Sequence, residues 1–275
     1  MEYNILCTSK PGDGLLYYSY EYCCYMNSIG IDTQLVIIPH PGFNRHHYDN
    51  VIKSKYTIYE NVTYDCDNWS DVTIVMGRSL ITIGYISRHL YTIEQLELLR
   101  LLLSGTVVSV YSDNRIVEYA LAAAWASPKK IIDVCDRDVY PNGVGNHFEK
   151  RIYFDIYRPV VDDVKFKYLF NGTNKQYYAD ALKVIDKYES HGILVYDFSN
   201  VDNHYNNLYI PVDNLLGIFD TYVYTKSIID PAPRIIQECK YYNKEIILEQ
   251  YNRGVGFYLT RECKQPDVSE LINVG

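Results

Sequence analysis

The sequence predicts an α/β protein of two Rossmann-like, parallel-sheet domains facing a cleft. Three observations lead there. Short β-branched and apolar runs alternate with longer segments of helical periodicity in both halves of the chain. Turns rich in glycine or asparagine follow the first strand of each half, where parallel sheets receive their ligands. The 275 residues suffice for two modest domains with a core each.

The elements follow in chain order. Residues 3–8 read as a short strand, Ser9-Lys10-Pro11-Gly12-Asp13-Gly14 as a tight turn, and residues 15–27 as a helix closed by Gly30. Residues 34–38 form the next strand and complete a βαβ start. The Pro- and Gly-containing stretch 39–49 is expected to be a loop that covers an acceptor. Residues 72–76 are a buried strand, and Thr92 caps a helix to Leu103 with Gln95 at its third position. A strand at 107–111, a helix at 116–126 and a last strand at 131–135 finish the first unit. Turn residues then mark 136–159, and the boundary near residues 159–163 gives domains 1–160 and 161–275.

The second domain repeats the pattern. A strand at 166–170 leads through Asn171-Gly172-Thr173 to a helix over 175–188, and Gly192 separates that helix from a strand at 193–196. A short strand at 206–209, a helical turn at 212–218 and a strand at 221–224 follow. Residues 230–238 read as a helix that Pro231 starts and whose first turn tolerates Pro233, and 245–249 as the final strand.

Composition limits the function classes. The net charge of −8, shared evenly between the halves, disfavours general non-specific nucleic-acid binding, although a local basic groove is compatible with it. Lys129, Lys130, Lys150 and Arg151 are the candidates for such a groove. Seven cysteines without a CxxC spacing argue against a disulfide framework or a zinc site and for a reducing, cytoplasmic setting. No stretch reaches the roughly 20 apolar residues of a membrane span, so no membrane partner is expected. His40, His46 and His47 cluster without matching Cys or acidic spacing, and no protein-bound metal is expected. Thirty tyrosines exceed what a core requires, which predicts many at least partly exposed.

The run Asp230-Pro231-Ala232-Pro233-Arg234-Ile235-Ile236-Gln237-Glu238 carries the most chemistry. A helix N-terminus presents unpaired N–H groups and positive dipole charge, which suit a diphosphate. Arg234 can add a two-pronged phosphate contact, and Glu238 lies one turn further on the same face. Acids at Asp230 and Glu238 suit a sugar nucleotide, one beside the sugar and one accepting from ribose hydroxyls. In the first domain, Gly12, Asp13 and Gly14 permit close approach of a ligand, with Asp13 as the candidate base or orienting group for an acceptor hydroxyl. Asn171, Gly172, Thr173 and Lys175 are the corresponding candidates for donor phosphate. Arg115 with Glu118, and acids between 133 and 138, are candidates for lining the first-domain side.

The 230–245 segment resembles the donor-binding region of two-domain nucleotide-sugar glycosyltransferases of GT-B architecture, in particular the small enzymes encoded by bacteriophages. Its acids stand at the spacing of the family's Glu-x7-Glu motif, with Asp230 in the first place. The resemblance implies two Rossmann-like domains facing a cleft, with the first acid near the transferred sugar and the second on the ribose. It implies transfer of a hexose, with UDP-glucose the expected donor, to a hydroxyl acceptor. A hydroxymethylated base in phage DNA is one implied acceptor, which would place the protein in the host cytoplasm. A glycan or small-molecule acceptor, or a nucleotide-sugar-binding module without catalysis, are the alternatives. The histidine that many members carry after an early strand has His89 as its nearest counterpart, and no C-terminal helix returning to the first domain is read after Arg261.

Overall fold

The computed structural model describes residues 3–40, 42–64, 72–75, 107–110, 130–133, 146–147, 150–196, 204–228, 230 and 233–272. The helices expected at 92–103 and 116–126 lie outside them, as do His89, Arg115, Glu118, Lys129, the acids after Asp133, and Pro231. The chain divides into two compact units. The first comprises Met1–Lys53, Thr57–Ile156 and Lys264–Gly275, and the second Ser54–Tyr56 and Tyr157–Cys263. The last segment therefore groups with the first unit, whereas the sequence reading assigned everything to residue 275 to the second.

The first unit carries a seven-stranded sheet in which every paired neighbour is parallel. Its strands are β1 (Tyr3–Cys7), β2 (Thr33–Ile37), β3 (Val62–Thr63), β4 (Val72–Val75), β5 (Val107–Val110), β6 (Lys130–Asp133) and β7 (Asn146–His147). They lie in the order β3-β2-β1-β4-β5-β6-β7, the doubly wound arrangement in which the direction of winding reverses beside β1. The sequence reading closed the unit at β6, but the two-residue β7 pairs beyond it, too short to leave a periodic signal. Helix α1 (Gly14–Ser28) follows β1 and buries Leu16, Tyr18, Tyr20, Tyr22 and Cys23. Helix α2 (Arg45–Lys55) replaces the latter part of the expected 39–49 loop. Its Tyr48, Val51 and Ile52 are spaced to share one buried face. At its start the His47 ring stands 2.8 Å from Asn44 Oδ1, and the Asn44 N–H donates back to His47 Nδ1 at 3.2 Å, in the manner of a capping box.

Seven tyrosines stand among the largest fully buried side chains, so part of the tyrosine excess is core. Tyr20 donates its hydroxyl to the Ile58 carbonyl at 2.6 Å and Tyr48 to that of Ser9 at 2.9 Å, which satisfies the polar tip of each ring. Lys150 is also fully buried, with its ammonium 5.2 Å from the Tyr18 ring centre, and is removed as a backbone-gripping cation. The terminal segment adds the short helix α6 (Ser269–Ile272), and Arg151 donates to the Gln265 carbonyl at 3.1 Å.

The second unit holds β8 (Phe166–Asn171), β9 (His191–Val195), β10 (Asn207–Tyr209), β11 (Phe219–Tyr224) and β12 (Glu245–Leu248) in the order β10-β9-β8-β11-β12, again all parallel. Its helices are α3 (Lys175–Leu182), α4 (Arg234–Tyr241) and α5 (Arg253–Thr260). Two clusters of buried residues form the core. One packs Tyr178 and Ala181 of α3 with Phe170, Ile193 and Val223, and the other packs Ile235, Ile236 and Cys239 of α4 with Leu169, Tyr222 and Tyr224. Alternation along β11 sends Tyr222 and Tyr224 to one cluster and Val223 to the other, as a sheet covered on both faces requires. The helix expected over 175–188 stops at Leu182, and a short 3-10 turn at Ile185–Lys187 replaces its last part.

Candidate functional site

In the second sheet the winding reverses between β8 and β11. From β8 the chain passes through α3 to β9 on one side, and from β11 through α4 to β12 on the other. Such a switch point opens a crevice beyond the carboxyl ends of the two strands, and there the loop after β8 meets the loop after β11.

The loop after β8 is tightly organised. Asn171 Oδ1 accepts from the Thr173 N–H at 3.0 Å and from its hydroxyl at 2.8 Å, an Asx turn. Gly172 gives its N–H to the Leu194 carbonyl at 2.8 Å. A Cβ at Gly172 would stand 2.8 Å from both Ile193 Cγ2 and Tyr178 Cδ2, so this glycine serves close packing of α3 on the sheet. The backbone donors expected from Gly172 and Thr173 are therefore engaged within the protein. Asn174 caps α3 through the Tyr177 N–H at 2.9 Å. The first-turn N–H groups of Lys175 and Gln176 are those a helix leaves without an intrahelical partner.

The loop after β11 begins with Thr225 and Lys226, which are 2% and 4% exposed. Lys226 Nζ reaches Asp230 Oδ2 at 2.5 Å and sits 4.4 Å from the centre of the Tyr177 ring on α3. Ser227 is fastened to α3 by two bonds to Asp180 Oδ2, from its N–H at 3.0 Å and its hydroxyl at 2.6 Å. Asp180 also accepts from Lys183 at 2.7 Å and Gln176 at 3.0 Å. Burial pushes the Asp180 carboxyl up, but those four donors more than offset it and hold it at about 2. From α5, the N-cap Asn252 donates to the Tyr224 hydroxyl at 2.9 Å and to the Lys226 carbonyl at 3.3 Å. Gly254 lets α5 approach closely, because a Cβ there would lie 2.4 Å from the Asp230 carbonyl oxygen.

Asp230 does not open the next helix. Helix α4 begins at Arg234, with Pro233 at its N-cap position and no side-chain cap. The reason is local: proline disfavours helical backbone in the residue before it, and Asp230 precedes Pro231. Arg234 and Glu238 then lie one turn apart and pair with each other, Nε to Oε1 at 2.8 Å. Lys55 meets the same Oε1 at 2.7 Å and the Tyr157 hydroxyl donates to it at 2.9 Å. Tyr157 in turn accepts from Arg234 Nη2. Glu238 is only 3% exposed; burial raises its pKa, but the charges of Lys55 and Arg234 outweigh burial and the net direction is down. One buried carboxylate oxygen thus meets both Lys55 and Arg234.

The loop after β1 of the first unit has Asp13 as the N-cap of α1, its Oδ1 accepting from the Leu15 N–H at 3.0 Å. Gly12 adopts φ 78°, the left-handed region that favours glycine. Gly14 has nothing within 4 Å of where a Cβ would stand. Of the sequence candidates, Asn171, Gly172, Thr173, Lys175, Asp230, Arg234 and Glu238 belong to the second unit, and Gly12, Asp13 and Gly14 to the first. Sequence reasoning missed Lys226, Asp180, Lys55, Tyr157 and Asn252. A lysine two residues beyond a buried strand was a legible signal for Lys226; nothing local connects Lys55 with Glu238, 183 residues away. Among the described residues no group of three or more His, Cys, Asp or Glu side chains is placed to hold a metal ion, and no described helix is long and apolar enough to cross a membrane. Comparison with known proteins finds no family model and no curated protein that matches the chain.

Proposed function

We propose that this chain is a nucleotide-sugar-dependent glycosyltransferase of GT-B type. It moves a hexose from a nucleoside diphosphate donor, UDP-glucose in the first instance, to a hydroxyl acceptor. The observation that carries this reading is the second sheet's switch point between β8 and β11, where Tyr177 and Asp180 of α3 meet Lys226 and Ser227 of the loop after β11. Conserving the donor's charge defines the chemistry. The bond from the sugar's anomeric carbon to the distal phosphate oxygen breaks, and its electron pair leaves with the nucleoside diphosphate. The acceptor oxygen bonds to that carbon and yields its proton to a general base. Arg234, Lys175 and first-turn N–H groups stabilise the charge on the leaving diphosphate. Asp230 faces the sugar, and Glu238, buried and already accepting from Lys55, Arg234 and Tyr157, serves the site by holding Arg234.

Two acceptor classes follow. A hydroxymethylated base in phage DNA fits the resemblance of the 230–245 segment to phage enzymes. A glycan or small metabolite is favoured by the net charge of −8 and by the burial of Lys150. The test offers UDP- and GDP-sugars with hydroxymethylated DNA, unmodified DNA and simple glycans, for the natural chain and for Arg234→Lys. Lysine keeps the charge but loses the planar fork, so turnover falls about 10-fold or more. Sugar entering only the modified DNA selects the first acceptor class, and donor turnover without DNA labelling selects the second. Absence of binding or turnover for every nucleotide sugar refutes the glycosyltransferase reading.

A further inference from the structure

We propose that Lys226 is the residue that binds the diphosphate of the nucleotide, and that it does so by exchanging its ion pair with Asp230 for phosphate oxygens. The inference rests on the glycosyltransferase reading and adds a residue and a coupling that the 230–238 motif does not contain. Three observations carry it. Lys226 is the second residue beyond the end of β11, so it stands at the switch point and is 4% exposed. A buried ammonium has three donors to satisfy, and the side-chain acceptor it meets is one oxygen of Asp230, with the Tyr177 ring face as its other neighbour. Its backbone is held from both sides, by Asn252 on the Lys226 carbonyl and by Asp180 on Ser227, so the ammonium is delivered to a fixed place. Next to it, Thr225 Oγ1 is buried without a hydrogen-bond partner among the described residues.

Arg234 gives only part of its guanidinium to the same task, because Glu238 and Tyr157 already engage it, and Lys226 adds an ammonium from the loop that precedes it in the sequence. The Asp230 carboxylate is 20% exposed and four residues along the loop, so it can swing away while Lys226 stays. A diphosphate offers several anionic oxygens where Asp230 offers one carboxylate, which favours the exchange. The exchange releases Asp230 toward the sugar only when the diphosphate has arrived.

The experiment is calorimetric titration of the full chain with uridine, UMP and UDP, and with the guanosine series, for the natural protein, Lys226→Met, Lys226→Arg and Asp230→Asn. The natural protein binds the diphosphate tighter than the monophosphate. Lys226→Met loses about 10- to 100-fold for UDP, the size of a charge-assisted bond, while uridine binding stays within about threefold. Lys226→Arg keeps the preference for diphosphate and guards against a folding artefact. Asp230→Asn removes the competing carboxylate and binds UDP at least as tightly as the natural protein. UDP affinity unchanged in Lys226→Met, or lowered in Asp230→Asn, overturns the exchange while nucleotide binding by the natural protein stands. A natural protein that binds none of the nucleotides overturns the glycosyltransferase reading itself, and the exchange with it.

Discussion

Glu238 is the residue on which most charge converges. Its buried carboxylate is the counter-ion of both Lys55 and Arg234, and Tyr157 completes the set. Removing one member of a buried ion cluster leaves the others uncompensated, which costs far more than the cluster contributes as a whole. Glu238→Gln is nearly isosteric and keeps a hydrogen-bond acceptor, yet it removes the buried charge that Lys55 and Arg234 face. The expected loss is about 3–5 kcal/mol at pH 7, read from urea unfolding by circular dichroism. A loss under about 0.5 kcal/mol would show that the cations find water instead. Acid removes the same interaction. Glu238 and Asp180 both have depressed folded-state values, so their stabilisation is complete above the unfolded carboxyl range near pH 4. It is lost as pH falls through the folded values, for Asp180 down to about 2. The urea midpoint of the natural protein should therefore fall between pH 5 and about pH 2, and that of Glu238→Gln should fall less. An equal drop in both would remove Glu238 from the acid response.

At the scale of elements, two glycines that look alike in sequence have opposite reasons to exist. Gly172 opens the strand-to-helix turn after β8, where a methyl group meets Ile193 and Tyr178 at 2.8 Å. Gly14 begins α1 with open space around its missing Cβ. Gly172→Ala should destabilise the second unit by about 1–3 kcal/mol through overpacking. Gly14→Ala should leave the first unit unchanged or stabilise it by up to about 1 kcal/mol, because the helix start gains propensity. Thermal unfolding of the two variants distinguishes the cases, and a harmful Gly14→Ala would contradict the open space. The same contrast explains what the sequence could tell. Strands such as β1, β8 and β11 were legible because each is an apolar run followed by a turn. Helix α2 was not, since its buried Tyr48, Val51 and Ile52 are diluted by Arg45, His46, His47, Asp49 and Asn50. Helix α5 was hidden by Gly254 and Gly256, residues that propensity counts against a helix. Of the site, Asp230, Arg234 and Glu238 could be picked out by residue type and spacing, but their pairing could not. Whether an arginine faces a ligand or its own glutamate is decided by packing that brings Lys55 and Tyr157 alongside.

For the whole molecule, the unexpected feature is the return of the chain's last segment to the first unit. Residues 264–275 group with β1 and α1 rather than with the helices that precede them. Leu271 is fully buried and Val268 is 5% exposed, while the Tyr3 hydroxyl reaches the Ile272 carbonyl at 3.5 Å and Gln265 bonds Asp155 at 3.1 Å. The hydrophobic part alone is about 3–6 kcal/mol for two such side chains, an upper value because an unfolded chain already buries some of that surface. Amide hydrogen exchange read segment by segment follows each unit separately. A chain ending at Cys263 should therefore lose stability in the transition at which the amides of β1 and α1 lose protection, by roughly 5–15 °C for a unit of this size. The second unit keeps β8 to β12 and α3 to α5 intact in that chain, so its share of the circular dichroism transition should stay within a few degrees. Parallel loss of both transitions would mean that the two units unfold as one cooperative body. Unchanged protection of β1 and α1 would mean that Leu271 and Val268 add nothing to the first core, and the returning segment would then be a passive tail.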